Sequence, residues 1–125
     1  MHNYKQLKVW EKSIDLVVAV YEATTQFPTE EKYGLTSQMR RSAVSVPSNI
    51  AEGAGRNSDM DFCRFLSIAH GSSYELETQV IVSEKLSLLS KEVSEEICTR
   101  ISEIQKMNYN LQLKLNPQIF EGFKS

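Results

Sequence analysis

Three groups of side chains in this 125-residue chain have types and spacings that suggest chemistry. The first is Cys63 with His70. A nucleophilic thiol needs a base within hydrogen-bond reach. Seven residues apart on a helix, these two share a face but lie ~10 Å apart along the axis, too far for a thiolate–imidazole pair within one chain. The second is Glu75 and Glu77. Two residues apart, they point to different sides of a helix. No Glu-x-x-His sequence accompanies them, so the carboxylate-rich metal site of some helix bundles is not expected. The third is Gly53-Ala54-Gly55-Arg56. It superficially resembles a phosphate loop but lacks the following Lys-Ser or Lys-Thr and a preceding strand. Helix capping is the better reading of both glycines. If an anion is bound here, Arg56 and the free N–H groups opening the next helix are where it would sit. No catalytic residue, metal or cofactor is expected, and the chain is read as non-enzymatic.

Arginines and small polar residues form a second pattern. Arg40 and Arg41 are adjacent and diverge by ~100° on a helix. Arg41, Ser45, Ser48 and Glu52 lie along one helical line, flanked by Gln38 and Asn49. Serine permits another helix to approach closely, and Glu52 is placed to pair with Arg41 or Arg56. The preferred reading is a packing and assembly surface. The alternative is a direct nucleic-acid-binding module using Arg40, Arg41, Arg56 and Arg64. A formal charge of −2 gives the whole chain no basic field to support it.

The elements that position these residues are helices. Leu7, Trp10, Ile14, Val17 and Tyr21 recur at spacings of 3, 4, 3 and 4, the signature of one helical face. Val9, Leu16, Val18 and Val20 widen that stripe beyond what an isolated bundle needs, so a second subunit is expected to cover part of it. Phe27-Pro28 ends the helix near Thr25, and a single turn is expected over the TEEK that follows. Leu35, Met39, Ala43, Val46 and Ile50 mark a second helix. Its pattern stays in phase across Pro47, so a kinked but continuous helix is predicted, with Ser42 or Ser45 serving backbone groups near the kink. Ser58 opens a third helix, reaching to about Leu88, with Phe62, Leu66, Ala69, Ser73, Leu76, Val80 and Ser83 on its core side. Gly71 interrupts it, and close packing of another helix is the expected cause. Ser90 caps a fourth helix carrying Val93, Ile97, Ile101, Ile104, Asn108, Leu111 and Leu115. Pro117 stops it.

The fold predicted is all-α: an up-down-up-down four-helix bundle with helix two kinked at Pro47. One domain is expected over residues 1–125, its core at 4–115 and a tail at 116–125 in which Ile119, Phe120 and Phe123 suggest docking. No stretch reads as a signal peptide or membrane span. The two cysteines, Cys63 and Cys98, lack metal-ligand spacing and are expected to be reduced thiols in a cytoplasmic protein.

Four stretches, taken together, resemble a known family. They are Tyr4, Leu7, Val9 and Trp10 near the start; FPTEEKYGL at Phe27–Leu35; QMRRSAVSVPSNIAEGAGR at Gln38–Arg56; and the FxRFLxIAxGSxxEL pattern over Phe62–Leu76. This order is similar to the four-helix-bundle proteins named for reading frames in intervening sequences of bacterial large-subunit ribosomal RNA genes. Pro47 and Gly53, with Gln38, Ser45, Ser48, Asn49 and Glu52, carry the most specific block. The resemblance implies a non-enzymatic homopentameric ring. It also implies a nucleic-acid setting, because a related branch, the accessory protein of diversity-generating retroelements, has a basic surface and works with a reverse transcriptase. By that analogy the partners expected are RNA, DNA or a reverse-transcriptase-like protein. This chain departs from that branch in being slightly acidic.

Overall fold

A computed structural model describes residues 1–118 and places them in four helices: α1 (Lys8–Thr24), α2 (Leu35–Ala54), α3 (Asp59–Lys85) and α4 (Lys91–Leu115). Short 3-10 turns at Tyr4–Gln6 and Thr29–Glu31 precede α1 and α2. Each helix packs on its neighbours in sequence, and α4 closes back onto α1. This is the predicted up-down-up-down bundle. Ile119, Phe120 and Phe123 lie outside the described residues.

The caps follow from side-chain chemistry. The Ser58 and Ser90 hydroxyls accept from the N–H groups of Asp61 and Val93, at 3.1 and 3.2 Å. Each satisfies one of the donors that a helix start leaves open. Acidic residues in both first turns, Asp59 and Asp61 in α3 and Glu92 in α4, suit the positive end of the helix dipole. At α2 a carboxylate does the capping, with Glu31 Oε1 accepting from the Leu35 N–H at 3.1 Å.

α3 ends in a tighter device than sequence suggests. Ser87 adopts φ 62°. Its N–H donates to the Glu84 carbonyl, and the Leu88 N–H reaches back to Ser83. Those two bonds define a Schellman cap with serine where glycine is usual, and the helix stops at Lys85 rather than running on to Leu88.

The core stripes of α2 and α3 are as predicted. Met39, Ala43, Val46 and Ile50 face Phe62, Leu66, Ala69, Leu76 and Val80, all at most 1% exposed. α2 runs as one helix through Pro47, from Leu35 to Ala54. Ser42 and Ser45 do not serve the proline: their hydroxyls reach α3, at Glu75 and Ser72.

The two glycines at the end of α2 are not left-handed caps. Gly55 is the terminal residue but has φ −83°. Gly53 is inside the helix, where a Cβ would sit 2.6 Å from Phe65 Cβ and 2.9 Å from Phe62 Cδ1. It is glycine because α3 crosses there. Gly71 shows the reverse: a Cβ would meet nothing within 4 Å, so no packing among the described residues accounts for it.

α1 carries the largest difference. Its buried face is Val9, Ser13, Leu16, Val20 and Thr24. The stripe with regular spacing is split: Leu7, Trp10 and Val17 are half-buried against the core, while Ile14 and Tyr21 are exposed.

Candidate functional site

Three of the four candidate arginines are held by partners within the chain. Arg40 Nε donates to Thr24 Oγ1 at 2.9 Å, its guanidinium lies 4.5 Å from the Tyr21 ring centre, and Nη2 approaches the Tyr21 carbonyl at 3.4 Å. It therefore braces the C-terminal turn of α1, whose last carbonyls favour a cation. Arg56 and Arg64 converge on Phe65, with guanidiniums 4.7 and 4.6 Å from its ring centre. Asp61 joins them, at 3.9 Å from Arg56 and 3.1 Å from Arg64, and Glu52 bonds Arg56 at 3.2 Å. Glu52 thus pairs with Arg56 and not with Arg41. Arg41 is exposed and makes no ion pair or hydrogen bond among the described residues.

The four do not meet at one place. Arg40 and Arg41 lie in the first third of α2 and Arg56 just past its end, ~20 Å away. Carboxylates sit between and beside them. The start of α3 is likewise filled by the Ser58 cap and two aspartates, leaving an incoming anion little positive field.

The signature residues of α2 divide between two faces. Ser45 bonds Ser72 at 2.8 Å, and Asn49 Nδ2 donates to the Ser45 carbonyl and hydroxyl. These small polar groups draw α2 against α3, as does Gly53. Gln38 and Glu52 are exposed. Pro47 and Ser48 face the other way. With Tyr4, Trp10, Ile14, Val17, Val44 and Ala51 they line a shallow apolar groove of about 290 Å³ between α1 and α2. On its rim Ile14, Tyr21 and Val44 are 36%, 42% and 39% exposed; Val18, 52% exposed, lies on the α4 side of α1.

The residues that suggested catalysis remain apart. Burial raises the Cys63 thiol pKa, and the charge of Asp59 adds to it. Burial does the same at Cys98, assisted by Glu77 and opposed by a hydrogen bond from Ser94. Both therefore favour the thiol over the nucleophilic thiolate. The Cys63 thiol points to the Gln112 carbonyl of α4 at 3.8 Å. His70 stands edge-on to Tyr74, and burial lowers its pKa. Among the described residues no group of three or more His, Cys, Asp or Glu is arranged to hold a metal. No described helix is long and apolar enough to cross a membrane.

Sequence reasoning did not find the polar seam between α3 and α4. Asn108 Nδ2 donates to the Leu66 carbonyl at 3.0 Å, and Gln112 Nε2 donates to Asn108 Oδ1. The Ser67 hydroxyl reaches Gln112 Oε1, and Gln105 donates to Ser73. The only advance signal is an asparagine at a core position of an otherwise aliphatic stripe.

The fold agrees with that of a known protein. No curated protein matches the chain significantly. One similar solved structure is a protein with unknown function from the S23 ribosomal protein family of Bacteroides thetaiotaomicron VPI-5482. It is 24% identical with a TM-score of 0.75, covering 83% of this chain and 97% of that one. At that identity it speaks to the fold alone. The profile described as 23S rRNA-intervening sequence protein matches residues 5–110, most of the bundle and the whole α2 signature, and the chain therefore belongs to that family.

Proposed function

We propose that the protein is a non-enzymatic, homo-oligomeric scaffold or accessory protein that acts beside RNA or a nucleic-acid-handling partner. One observation carries the assembly: Leu7, Trp10 and Val17 of the regular apolar stripe of α1 pack against the core, but its outer members Ile14 and Tyr21, with Val18 beside them, are left exposed. Ser13 and Thr24 occupy the buried face, while Ile14, Val18 and Tyr21 stand in solvent. A single soluble chain gains most by burying the opposite set. Contiguous exposed apolar surface of this kind marks an interaction site. A homopentamer is the assembly that the family resemblance implies. The nucleic-acid setting rests on the same resemblance and on the family's name.

Light scattering at micromolar concentration tests the assembly. The expected result is a mass several times the 14.3 kDa of one chain. A clean monomer refutes it.

Direct binding of nucleic acid by the protein itself is the second reading. Arg41, exposed and without an ion pair or hydrogen bond among the described residues, favours it; the ion pairs of Arg56 and Arg64 oppose it. It predicts a mobility shift with single-stranded RNA at low salt that weakens steeply as salt rises and falls when Arg41 is replaced by glutamine. No shift at low salt refutes it.

A further inference from the structure

The chain exposes a second apolar line, on α3. Ile68, Gly71, Glu75, Thr78, Val82 and Leu86 follow one another at helical spacings, with Ile68, Val82 and Leu86 44%, 40% and 59% exposed. The line is ~27 Å long, against ~21 Å for the α1 stripe from Leu7 to Tyr21. The two have complementary relief. The α1–α2 groove is rimmed by bulky groups, Trp10, Ile14 and Tyr21. The α3 line has a notch in its middle at Gly71, where a side chain would meet nothing within 4 Å. Glycine inside a helix costs about 1 kcal/mol relative to alanine, and no neighbour among the described residues offsets that cost. A notch that admits a bulky ring close to the backbone gives it a reason. Charge is compatible too: the α3 line carries Glu75, and the groove rim carries Arg40.

We infer that the occupant of the α1–α2 groove is the outer face of α3 from a second copy of this chain. The inference rests on the assembly reading above and adds which surfaces meet. Because the two surfaces differ, the contact is head-to-tail. A two-fold contact of the groove with itself would leave the α3 line uncovered, whereas a closed ring covers both surfaces in every copy.

Two double variants test this: I14R/V44R in the groove and I68R/V82R on α3. All four positions are exposed, and far-UV circular dichroism and urea midpoints report that each variant folds. The parent is expected to be oligomeric and each variant monomeric. A 1:1 mixture is expected to form a dimer and nothing larger, because only one good groove and one good α3 face remain. Gly71→Gln gives a second readout that leaves the monomer's contacts unchanged. It is expected to raise the concentration for half-assembly by about tenfold or more. An α3 variant that keeps the parent's mass, or a mixture of two folded variants that stays monomeric, overturns the pairing while leaving the assembly standing. A monomeric parent overturns both. If either double variant fails to fold, Gly71→Gln decides alone, and unchanged assembly overturns the pairing.

Discussion

Gly53→Ala tests whether the signature glycine of α2 exists for helix packing. The added Cβ would lie 2.6 Å from Phe65 Cβ, 2.9 Å from Phe62 Cδ1 and 3.2 Å from the Phe62 carbonyl oxygen. Two of those atoms are fixed to the α3 backbone, so no rotamer change relieves the overlap. α2 and α3 must move apart, along a seam also held by the bond between Ser45 and Ser72. Overpacking of this kind costs about 1–3 kcal/mol, and can cost more where backbone must shift. Alanine recovers up to about 1 kcal/mol of helix propensity. The net expectation is a loss of about 1–2 kcal/mol, read as a lower urea midpoint at unchanged slope. Gly55→Ala is the matched control. Its Cβ would make only ordinary contacts, at 3.6 and 3.9 Å, and its φ of −83° suits any residue, so it should be neutral or slightly stabilising. Phe65→Ala should not rescue Gly53→Ala, because alanine keeps the clashing Cβ. If Gly53→Ala is as stable as the parent, the packing explanation is wrong.

Three further outcomes are expected. Ser87→Gly relieves a left-handed residue at the α3 cap and should stabilise by up to about 1 kcal/mol; a lower urea midpoint would contradict this. Asn108→Ala leaves the Leu66 carbonyl and Gln112 without their partner in a buried seam, and should destabilise by about 1–3 kcal/mol, so a midpoint equal to the parent's would show the seam carries no stability. The lowered pKa of His70 means the unfolded chain binds its proton more readily than the folded one. Its contribution is therefore present above the ordinary histidine pKa, near 6.5, and is lost as pH falls below it. Urea unfolding between pH 7.5 and 5 should show a stability decline that is shallower in His70→Gln; identical slopes would refute the assignment.

The parts of the fold legible in sequence are those where one physical requirement dominates. α2 and α3 are buried along a single face, so Met39 to Ile50 and Phe62 to Val80 could be read directly from spacing. Ser58 and Ser90 are legible because a helix start has one common solution. Ser87 is not: glycine is the usual residue in its conformation, and the pair of bonds that holds it becomes visible only in space. In sequence Gly53 reads as a helix cap and Gly71 as a close-packing site, and the structure puts the close contact at Gly53 instead. The two glycines differ in what stands opposite, Phe65 in one case and open space in the other. The Glu52–Arg56 pair was legible from its i, i+4 spacing, but the aromatic partners were hidden, since Tyr21 and Phe65 are far from Arg40 and Arg56 along the chain.

α1 shows why periodicity names a face without saying what covers it. Two helical stripes run side by side on it, and the more apolar one was the natural choice for the core. The other is buried because its polar members need no outside partner. The Ser13 hydroxyl donates to the Trp10 carbonyl at 2.8 Å, and Thr24 does the same to Val20. Bonded to their own helix, these small side chains enter the core without an unmet hydrogen bond. Thr24 also accepts from Arg40, which fixes α2 against the end of α1. The outer edge of the stripe, Ile14 and Tyr21, is thereby left available, with Arg40 and Tyr21 stacked at one end and Tyr4 and Trp10 packed edge to face at the other. A bundle under selection only to fold as a monomer would gain from reversing these two stripes. That it keeps Ile14, Val18 and Tyr21 outside and serine and threonine inside is understandable if the buried state of α1 is completed by another chain.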